Sequence, residues 1–258
     1  MSNSAALLHL ENVVKNYGAI QALRGISFDI AAGEVVALLG DNGAGKSTLV
    51  KIISGGLPAT SGRIVFDGVE RRFESPAEAK AAGIETVYQD LSLCTNVDVV
   101  ANFFMGREIV KRFLGIPILQ ERQMQAVVEK AMANAGTKIP SLRINVEHLS
   151  GGQRQAIELN RFVHWGGKLV LLDEPFAALG VEQTRRGLEV IKRIAAQGIS
   201  IIIITHIMAQ AFQVADRMVV IRQGTVAGNV EQSKTSPDEI VRMITGEEAE
   251  RKREGGVK

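Results

Sequence analysis

Short runs rich in β-branched or aliphatic residues recur along the chain, as expected for β-strands. They lie at 35–39, 64–66, 84–87, 169–172, 199–204 and 218–221. Fully apolar runs are typical of strands that are covered on both faces. Several of them are followed by patterns that predict helices, at 46–54, 75–82, 181–196 and 208–215. This alternation predicts an α/β fold with a mainly parallel sheet and crossover helices.

Two regions depart from the alternation. Segments 7–17 and 25–30 are strand-like with no helix between them, which predicts an antiparallel N-terminal β edge. From about 91 to 161 strand signals nearly vanish, and the apolar spacing predicts helices at 97–105, 122–135 and 153–163. We therefore expect one domain over 1–258, with a core at about 1–90 and 162–246, an inserted helical subdomain at about 91–161, and a frayed tail at 247–258.

Composition narrows the class of protein. The chain has 258 residues, of which 46% are hydrophobic and 22% charged, so a disordered or low-complexity chain is excluded. The formal net charge of +2 gives no support for a nucleic-acid partner, so we expect none, and any affinity for phosphate must be local. A single cysteine excludes an intrachain disulfide. The N-terminus has no secretory-signal pattern, and the longest apolar runs are far shorter than the ~20 residues that span a bilayer.

A glycine-rich loop follows the strand at 35–39 and precedes a predicted helix. Its residues match the pattern Gly-x-x-x-x-Gly-Lys-[Ser/Thr], namely Gly40, Asp41, Asn42, Gly43, Ala44, Gly45, Lys46 and Ser47, with Thr48 next. Glycines allow the backbone N–H groups and the helix N-terminus to surround phosphate oxygens. Lys46 would supply a positive charge and the Ser47 hydroxyl would bind Mg²⁺. The alternative, a turn that binds nothing, is disfavoured because strand, loop and helix stand in the order the motif requires.

Two consecutive acids end the apolar strand near 169–172. Adjacent side chains on a strand point in different directions, so Asp173 and Glu174 can take different roles. Asp173 would hold Mg²⁺, and Glu174 would orient the water that attacks a γ-phosphate. Two acids alone would be better explained as a solvated strand end, and it is the phosphate loop that favours the functional interpretation.

A second anion-binding pattern lies at 149–153, directly before a predicted helix. Its residues are Leu149, Ser150, Gly151, Gly152 and Gln153. A Ser-Gly-Gly turn at a helix N-terminus offers N–H groups, a hydroxyl and the positive end of the helix dipole. Alone it could be a simple helix cap. Together with the phosphate loop that begins at Gly40, the pattern is a far more specific indication of an anion site.

With these motifs in this order, the sequence resembles the ATP-binding subunits of ABC transporters over roughly residues 8–246. Residues 149–153 match that family's Leu-Ser-Gly-Gly-Gln signature. The resemblance implies that Gln89 is the Q-loop glutamine, His206 the switch histidine, and Tyr17 the aromatic ring on which adenine stacks. It also implies an ABC ATPase fold that binds ATP and Mg²⁺. Ser47, Gln89 and Asp173 would hold the metal ion, and Lys46, Gln89, Glu174 and His206 would carry hydrolysis.

Within that family the chain looks most similar to single-cassette importers of monosaccharides, of the fructose type. The supporting segments are 40–45, 75–79, 83–89 and 106–108. The resemblance implies a head-to-tail dimer with a second copy of the chain, in which each ATP lies between Lys46 of one copy and Ser150 and Gly152 of the other. It also implies transmembrane permease subunits, a periplasmic sugar-binding protein and a peripheral location on the cytoplasmic face of the bacterial inner membrane. Two positions depart from the family pattern, Phe176 and Gly180.

Other interpretations stay open at this point. A soluble ABC-type ATPase outside transport, for example in iron–sulfur assembly, has the same motifs, and a docking module without hydrolysis is disfavoured by Glu174 and His206. The apolar cluster at 103–105 either receives a permease helix or packs the insert. His9, His148 and His164 are expected to be structural or solvated, and Trp165 is expected to pack or to cap a helix end.

Overall fold

The computed structural model describes residues 6–87, 93–134, 136, 138–165, 167–176 and 180–247. The strands are β1 (Leu8–Tyr17), β2 (Ile20–Ile30), β3 (Val35–Leu39), β4 (Ser61–Phe66), β5 (Val69–Glu70), β6 (Ile84–Val87), β7 (Val110–Phe113), β8 (Ile116–Leu119), β9 (Leu169–Asp173), β10 (Ser200–Ile204), β11 (Arg217–Arg222) and β12 (Thr225–Glu231). The helices are α1 (Lys46–Ile53), α2 (Pro76–Ala82), α3 (Val99–Phe104), α4 (Glu121–Asn134), α5 (Gly151–His164), α6 (Val181–Ala195), α7 (Met208–Val214) and α8 (Pro237–Thr245).

A six-stranded sheet in the order β12-β11-β3-β10-β9-β6 forms the centre of the α/β fold. Strand β3 pairs in parallel with β10 and β11, and β10 pairs in parallel with β9. Every residue of β3 and β10 is buried, which explains why their sequences are apolar at consecutive positions. The predicted mainly parallel sheet is confirmed, with β12 added as an antiparallel strand beside β11.

The N-terminal strands form a sheet of their own. Its order is β2-β1-β4-β5, and β1 pairs antiparallel with both β2 and β4. The predicted antiparallel pairing of the N-terminal strands is thus confirmed, but the run at 64–66 was wrongly assigned to the parallel sheet. Its strand β4 lies on β1 with Phe66 opposite Leu8, because its buried positions Ile64 and Phe66 alternate with more exposed ones, as expected for a sheet with one covered face.

The chain packs as two compact units. Unit 1 comprises Met1–Thr86, Lys168–Pro175 and Ala195–Lys258, and unit 2 comprises Val87–Gly167 and Phe176–Ile194. Unit 1 has a core that includes Leu8, Phe66 and Leu171. Unit 2 has a separate core around α3, α4 and α5 that includes Phe103, Phe104 and Val128. Phe103 and Phe104 are 1% exposed, so these two rings pack the insert, whereas Met105 is exposed.

The insert contains the three predicted helices, now seen as α3, α4 and α5, and in addition a hairpin that the sequence did not reveal. Strands β7 and β8 pair antiparallel between α3 and α4. Every residue of both strands is exposed, so no alternation of buried and exposed positions marked them as strands.

Helix α8 was also missed, although its signals are local. Ser236 and Glu239 form a capping box, Pro237 opens the helix, and Gly246 ends it at a φ of 89°. Among the described residues, no helix has the length and apolar character needed to cross a membrane.

Candidate nucleotide site

The phosphate loop joins β3 to α1, and its first and last glycines are required by close packing. Gly40 has a φ of 147°, and a Cβ there would lie 2.1 Å from the carbonyl oxygen of Ile221. Gly45 has a φ of 108°, and a Cβ there would lie 2.7 Å from Leu23 Cδ2. Such positive φ angles are adopted at low cost only by glycine. Any other residue at either of these two positions would therefore force a shift of the loop or of its neighbours.

Lys46, the first residue of α1, lies across this loop. Its Nζ donates hydrogen bonds of 2.8 Å to the carbonyl oxygens of both Gly40 and Asp41. Burial lowers the pKa of Lys46, while the nearby carboxylates of Glu174, Asp41 and Asp173 act in the opposite direction. A partly desolvated cation held by two carbonyls is ready to bind an anion, because an anion compensates its lost hydration better than neutral oxygens do.

The two acids lie at the carboxyl end of β9, in the same unit as the loop. Burial raises the pKa of Asp173 and the neighbouring Glu174 raises it further, whereas Lys46 and Lys51 act to lower it. Glu174 has a φ of 47°, and its N–H donates to Ile204 O at 2.9 Å. A positive φ at a non-glycine residue is strained, and such strain concentrates at functional sites.

His206 meets Glu174 beyond the ends of two adjacent strands. Asp173 in β9 pairs with Ile204 in β10, so the residues that follow each strand emerge side by side. His206 Nδ1 lies 3.1 Å from Glu174 Oε2, and the two side chains are 63% and 32% exposed. The carboxylate thus orients an accessible imidazole at the edge where open α/β sheets bind ligands.

Thr205 and Gln210 support this arrangement and were missed by the sequence analysis. Both are buried, and the Thr205 hydroxyl donates to Gln210 Oε1 at 2.8 Å while accepting from Ile207 N at 3.1 Å. The pair fixes the turn that carries His206 into α7. The available sequence signal was the polar residue Thr205 directly after four consecutive isoleucines.

Tyr17 ends β1 in the same unit. Its ring is 47% exposed, and Lys15 Nζ lies 5.4 Å from the ring centroid. An exposed aromatic face beside an ammonium group can take a purine base by stacking.

The signature motif lies in unit 2, at the start of α5. Gln153 N donates to Ser150 Oγ at 3.3 Å and Ser150 N donates to Gln153 Oε1 at 3.0 Å, which is a reciprocal cap. Ser150 is exposed, and a Cβ on Gly152 would meet no atom within 4 Å. No packing within the described part of the chain therefore requires glycine at 152, although glycine weakens the first turn of a helix.

The oxygen donors fit a magnesium ion. Ser47 is exposed at the start of α1 and Asp173 supplies a partly buried carboxylate. Mg²⁺ prefers such hard oxygen ligands and needs few from the protein, because phosphates and water supply the others. Among the described residues, no group of three or more His, Cys, Asp or Glu side chains is arranged to hold a metal ion by itself. Gln89, the third expected ligand, lies outside the described residues.

Phe176 and Gly180, the two departures from the family pattern, both lie within the described residues. Phe176 is 2% exposed and its ring lies against Gly187 in α6. Gly180 is exposed, and its carbonyl accepts from Thr184 N at the start of α6. Residues 177–179 lie outside the described residues.

The remaining histidines and the tryptophan have local partners. His9 contacts Asp29, and His148 lies 3.5 Å from Glu147. His164 and Trp165 pack edge to face, and Trp165 Nε1 donates to Phe103 O at 3.3 Å. Burial lowers the pKa of His164.

A phosphate-binding loop after a central parallel strand, with paired acids at the end of a neighbouring strand, defines a nucleotide-binding protein of the P-loop class. The chain belongs to the ABC transporter family, whose profile matches residues 23–177.

Comparison with known proteins places it among cassettes named for sugar import. It is 41% identical to the xylose/arabinose import ATP-binding protein XylG of Sulfolobus acidocaldarius, covering 93% of this chain and 94% of that one. It is 38% identical to the fructose import ATP-binding protein FrcA of Rhizobium meliloti, with the same coverage. Other relatives, named as ribose import ATP-binding proteins, are longer, and the chain spans 47% of their length.

A solved structure shares the fold. The crystal structure of the ADP conformation of MJ1267, an ATP-binding cassette of an ABC transporter, superposes with a TM-score of 0.77. The match covers 93% of this chain and 95% of that one at 25% identity. The predicted ABC ATPase fold is confirmed.

Proposed function

We propose that this chain is the ATP-hydrolysing subunit of an ABC importer, and that it powers the uptake of a sugar through separate permease subunits. A periplasmic binding protein would deliver the sugar, and the chain would work on the cytoplasmic face of the cell membrane. The contact of 3.1 Å between His206 and Glu174, in the same unit as Lys46, carries the proposal of hydrolysis. The names of the relatives support sugar import over a soluble ATPase of iron–sulfur assembly.

Binding begins at the phosphate loop. Lys46 exchanges its hydrogen bonds to two carbonyl oxygens for charge-assisted ones to phosphate, and its ammonium form gains a compensating anion. The N–H groups at the start of α1 take the remaining phosphate oxygens, and Tyr17 stacks on adenine. Mg²⁺ on Ser47 and Asp173, with Gln89, would neutralise phosphate charge when bound.

Hydrolysis then depends on the pair of Glu174 and His206. Glu174 accepts a hydrogen bond from the attacking water and directs it toward the γ-phosphorus. Because Glu174 engages His206 Nδ1, Nε2 is the ring nitrogen that would bind the water or a γ-phosphate oxygen. Lys46 offsets charge on the transferred group.

The signature motif supports a head-to-tail dimer of two copies. The space beside Gly152 and the exposed hydroxyl of Ser150 leave the start of α5 accessible to a group from outside this chain. A γ-phosphate bound by Lys46 of one copy and by residues 150–153 of the other favours the closed state, because both sets of contacts exist only there. ATP binding would close the dimer and hydrolysis would reopen it.

The variant Glu174→Gln tests the catalytic assignment. It should retain ATP binding, lose nearly all phosphate release, and elute as a dimer with ATP in size-exclusion chromatography. Glu231→Gln, an exposed carboxylate paired with Lys234, is the matched control and should behave like the wild type. Normal hydrolysis by Glu174→Gln would show that Glu174 has another role.

Cross-linking tests the dimer. In the Glu174→Gln chain with Cys94→Ser, cysteines introduced at Asn42 and Ser150 should form an intermolecular disulfide only when ATP is present. A lack of ATP-dependent cross-linking would refute the ATP site shared between two copies. The proposal that Glu174 and His206 carry hydrolysis would still stand. Co-purification with an integral-membrane permease, and ATP turnover stimulated by the sugar-loaded binding protein, test the transport assignment.

A further inference from the structure

The β7–β8 hairpin of unit 2 exposes apolar side chains on both of its faces. Phe113, Leu114 and Ile116 at its tip are 63%, 87% and 64% exposed. Val110, Ile118 and Leu119 are also among the exposed large hydrophobic residues. Apolar surface concentrated in one projection marks an interaction site.

The turn of this hairpin shows that its apolar tip has no local structural cause. Leu114 and Gly115 have φ angles of 51° and 82°. Two other hairpins of the chain turn in the same conformation, with Asp67-Gly68 at 52° and 74° and Gln223-Gly224 at 49° and 78°. Such turns favour Asn, Asp or Gly at the first position, and both other turns have a polar residue there. Leucine is unfavourable here in conformation and in exposure, so neither turn geometry nor packing accounts for it.

Charge is distributed along the hairpin in a definite order. Lys111 and Arg112 precede the turn by two or three residues, which is about 7 to 10 Å along a strand. The returning strand β8 has no charged residue. The acids lie at the base, where Glu108 accepts from Gly106 N at 3.0 Å and Glu121 pairs with Arg143 at 2.8 Å. The projection therefore has an apolar tip, then positive charge, and negative charge only at its base.

We propose that the hairpin tip, residues 113–116, inserts into the surface of an anionic lipid bilayer. Interfacial insertion typically reaches about 5 to 10 Å, which would bring Lys111 and Arg112 to the level of the lipid phosphates. A lipid surface is favoured over a groove on a protein because both faces of the hairpin are apolar and exposed. A groove would have to enclose both faces, whereas lipid surrounds whatever enters it. The inference rests on the proposed function only for the presence of a membrane.

Vesicle flotation with the purified full chain, without nucleotide or permease, tests the proposal. Wild-type protein should bind phosphatidylcholine vesicles that contain phosphatidylglycerol and bind pure phosphatidylcholine vesicles much less. Leu114→Asn should weaken binding about tenfold or more, because an apolar side chain no longer leaves water. It should preserve or improve the fold, because asparagine suits this turn. Val241→Asn, an exposed apolar position in α8, is the matched control and should bind like the wild type.

Two matched double variants test how much the basic residues contribute to vesicle binding. Replacing Lys111 and Arg112 by glutamine should reduce binding to anionic vesicles by about 10- to 30-fold. The same change at Arg71 and Arg72, another adjacent exposed basic pair, should have little effect.

Three results would overturn the proposal. The first is that the wild-type protein binds neither type of vesicle. The second is that the wild type and Leu114→Asn bind anionic vesicles equally well. The third is that the wild type binds no vesicles and instead forms a dimer that Leu114→Asn abolishes. Phosphate release measured on the same samples in solution reports on the proposed ATPase separately, so failure of one inference is distinguishable from failure of the other.

Discussion

Adding a methyl group at Gly187 should destabilise the protein, and the ring of Phe176 is the reason. A Cβ on Gly187 would lie 2.3 Å from Phe176 Cε1, 3.0 Å from Cζ and 3.2 Å from Cδ1. Ordinary contacts between carbon atoms begin at about 3.5 Å, so the nearest ring atom would have to move by about 1.2 Å. The ring is 2% exposed and is enclosed by its neighbours.

The magnitude follows from two opposing effects. Overpacking in a filled core costs about 1 to 3 kcal/mol. Replacing glycine by alanine inside a helix contributes about 1 kcal/mol of stability in the other direction. We therefore expect Gly187→Ala to lower the free energy of unfolding by about 1 kcal/mol. In a Phe176→Leu background, which lacks the Cε1 and Cζ atoms, the same change should be neutral or stabilising.

Urea unfolding of the four chains, namely wild type, both single variants and the double variant, measures the coupling directly. A coupling energy of about 1 to 3 kcal/mol between the two sites is expected. Effects that simply add would refute the reasoning, because they would mean that the ring does not occupy the space beside Gly187. The result would explain how this chain accommodates a buried phenylalanine at position 176.

Three further predictions concern the nucleotide site. Lys46→Ala should weaken ATP binding about 100-fold, measured with a fluorescent ATP analogue, while the control Lys234→Ala at an exposed lysine paired with Glu231 should not; equal affinities of Lys46→Ala and the wild type would show that Lys46 does not bind the nucleotide. Tyr17→Ala should weaken ATP binding about tenfold and Tyr17→Phe should preserve it, and a similar loss in both variants would argue against stacking. Burial raises the pKa of Asp173, so its contribution to stability is fully present below the ordinary pKa of 3.8 and is lost as the pH rises through the folded value. Asp173→Asn should therefore raise the melting temperature of the nucleotide-free protein at pH 7, with a difference that shrinks toward pH 4; a difference that is unchanged with pH would contradict this account.

Much of the fold and site was accessible from the sequence because the signals are local. The consecutive apolar positions of β3 and β10 follow from burial on both faces, and the glycines at 40 and 45 are needed for positive φ angles. The exposed hairpin β7–β8 was missed because it buries neither face and so has no pattern of burial to detect.

Local sequence patterns are enough to identify the chemical groups of this protein, namely a loop that can bind phosphate, two acids at a strand end, and a signature motif at a helix start. Which of these groups come into contact depends on the folded structure. The contact of Glu174 with His206 depends on the register of Asp173 against Ile204, and the space for Phe176 depends on the absent side chain of Gly187. Such pairings join residues distant along the chain, so they are settled by strand register and packing and leave no local trace in composition or periodicity.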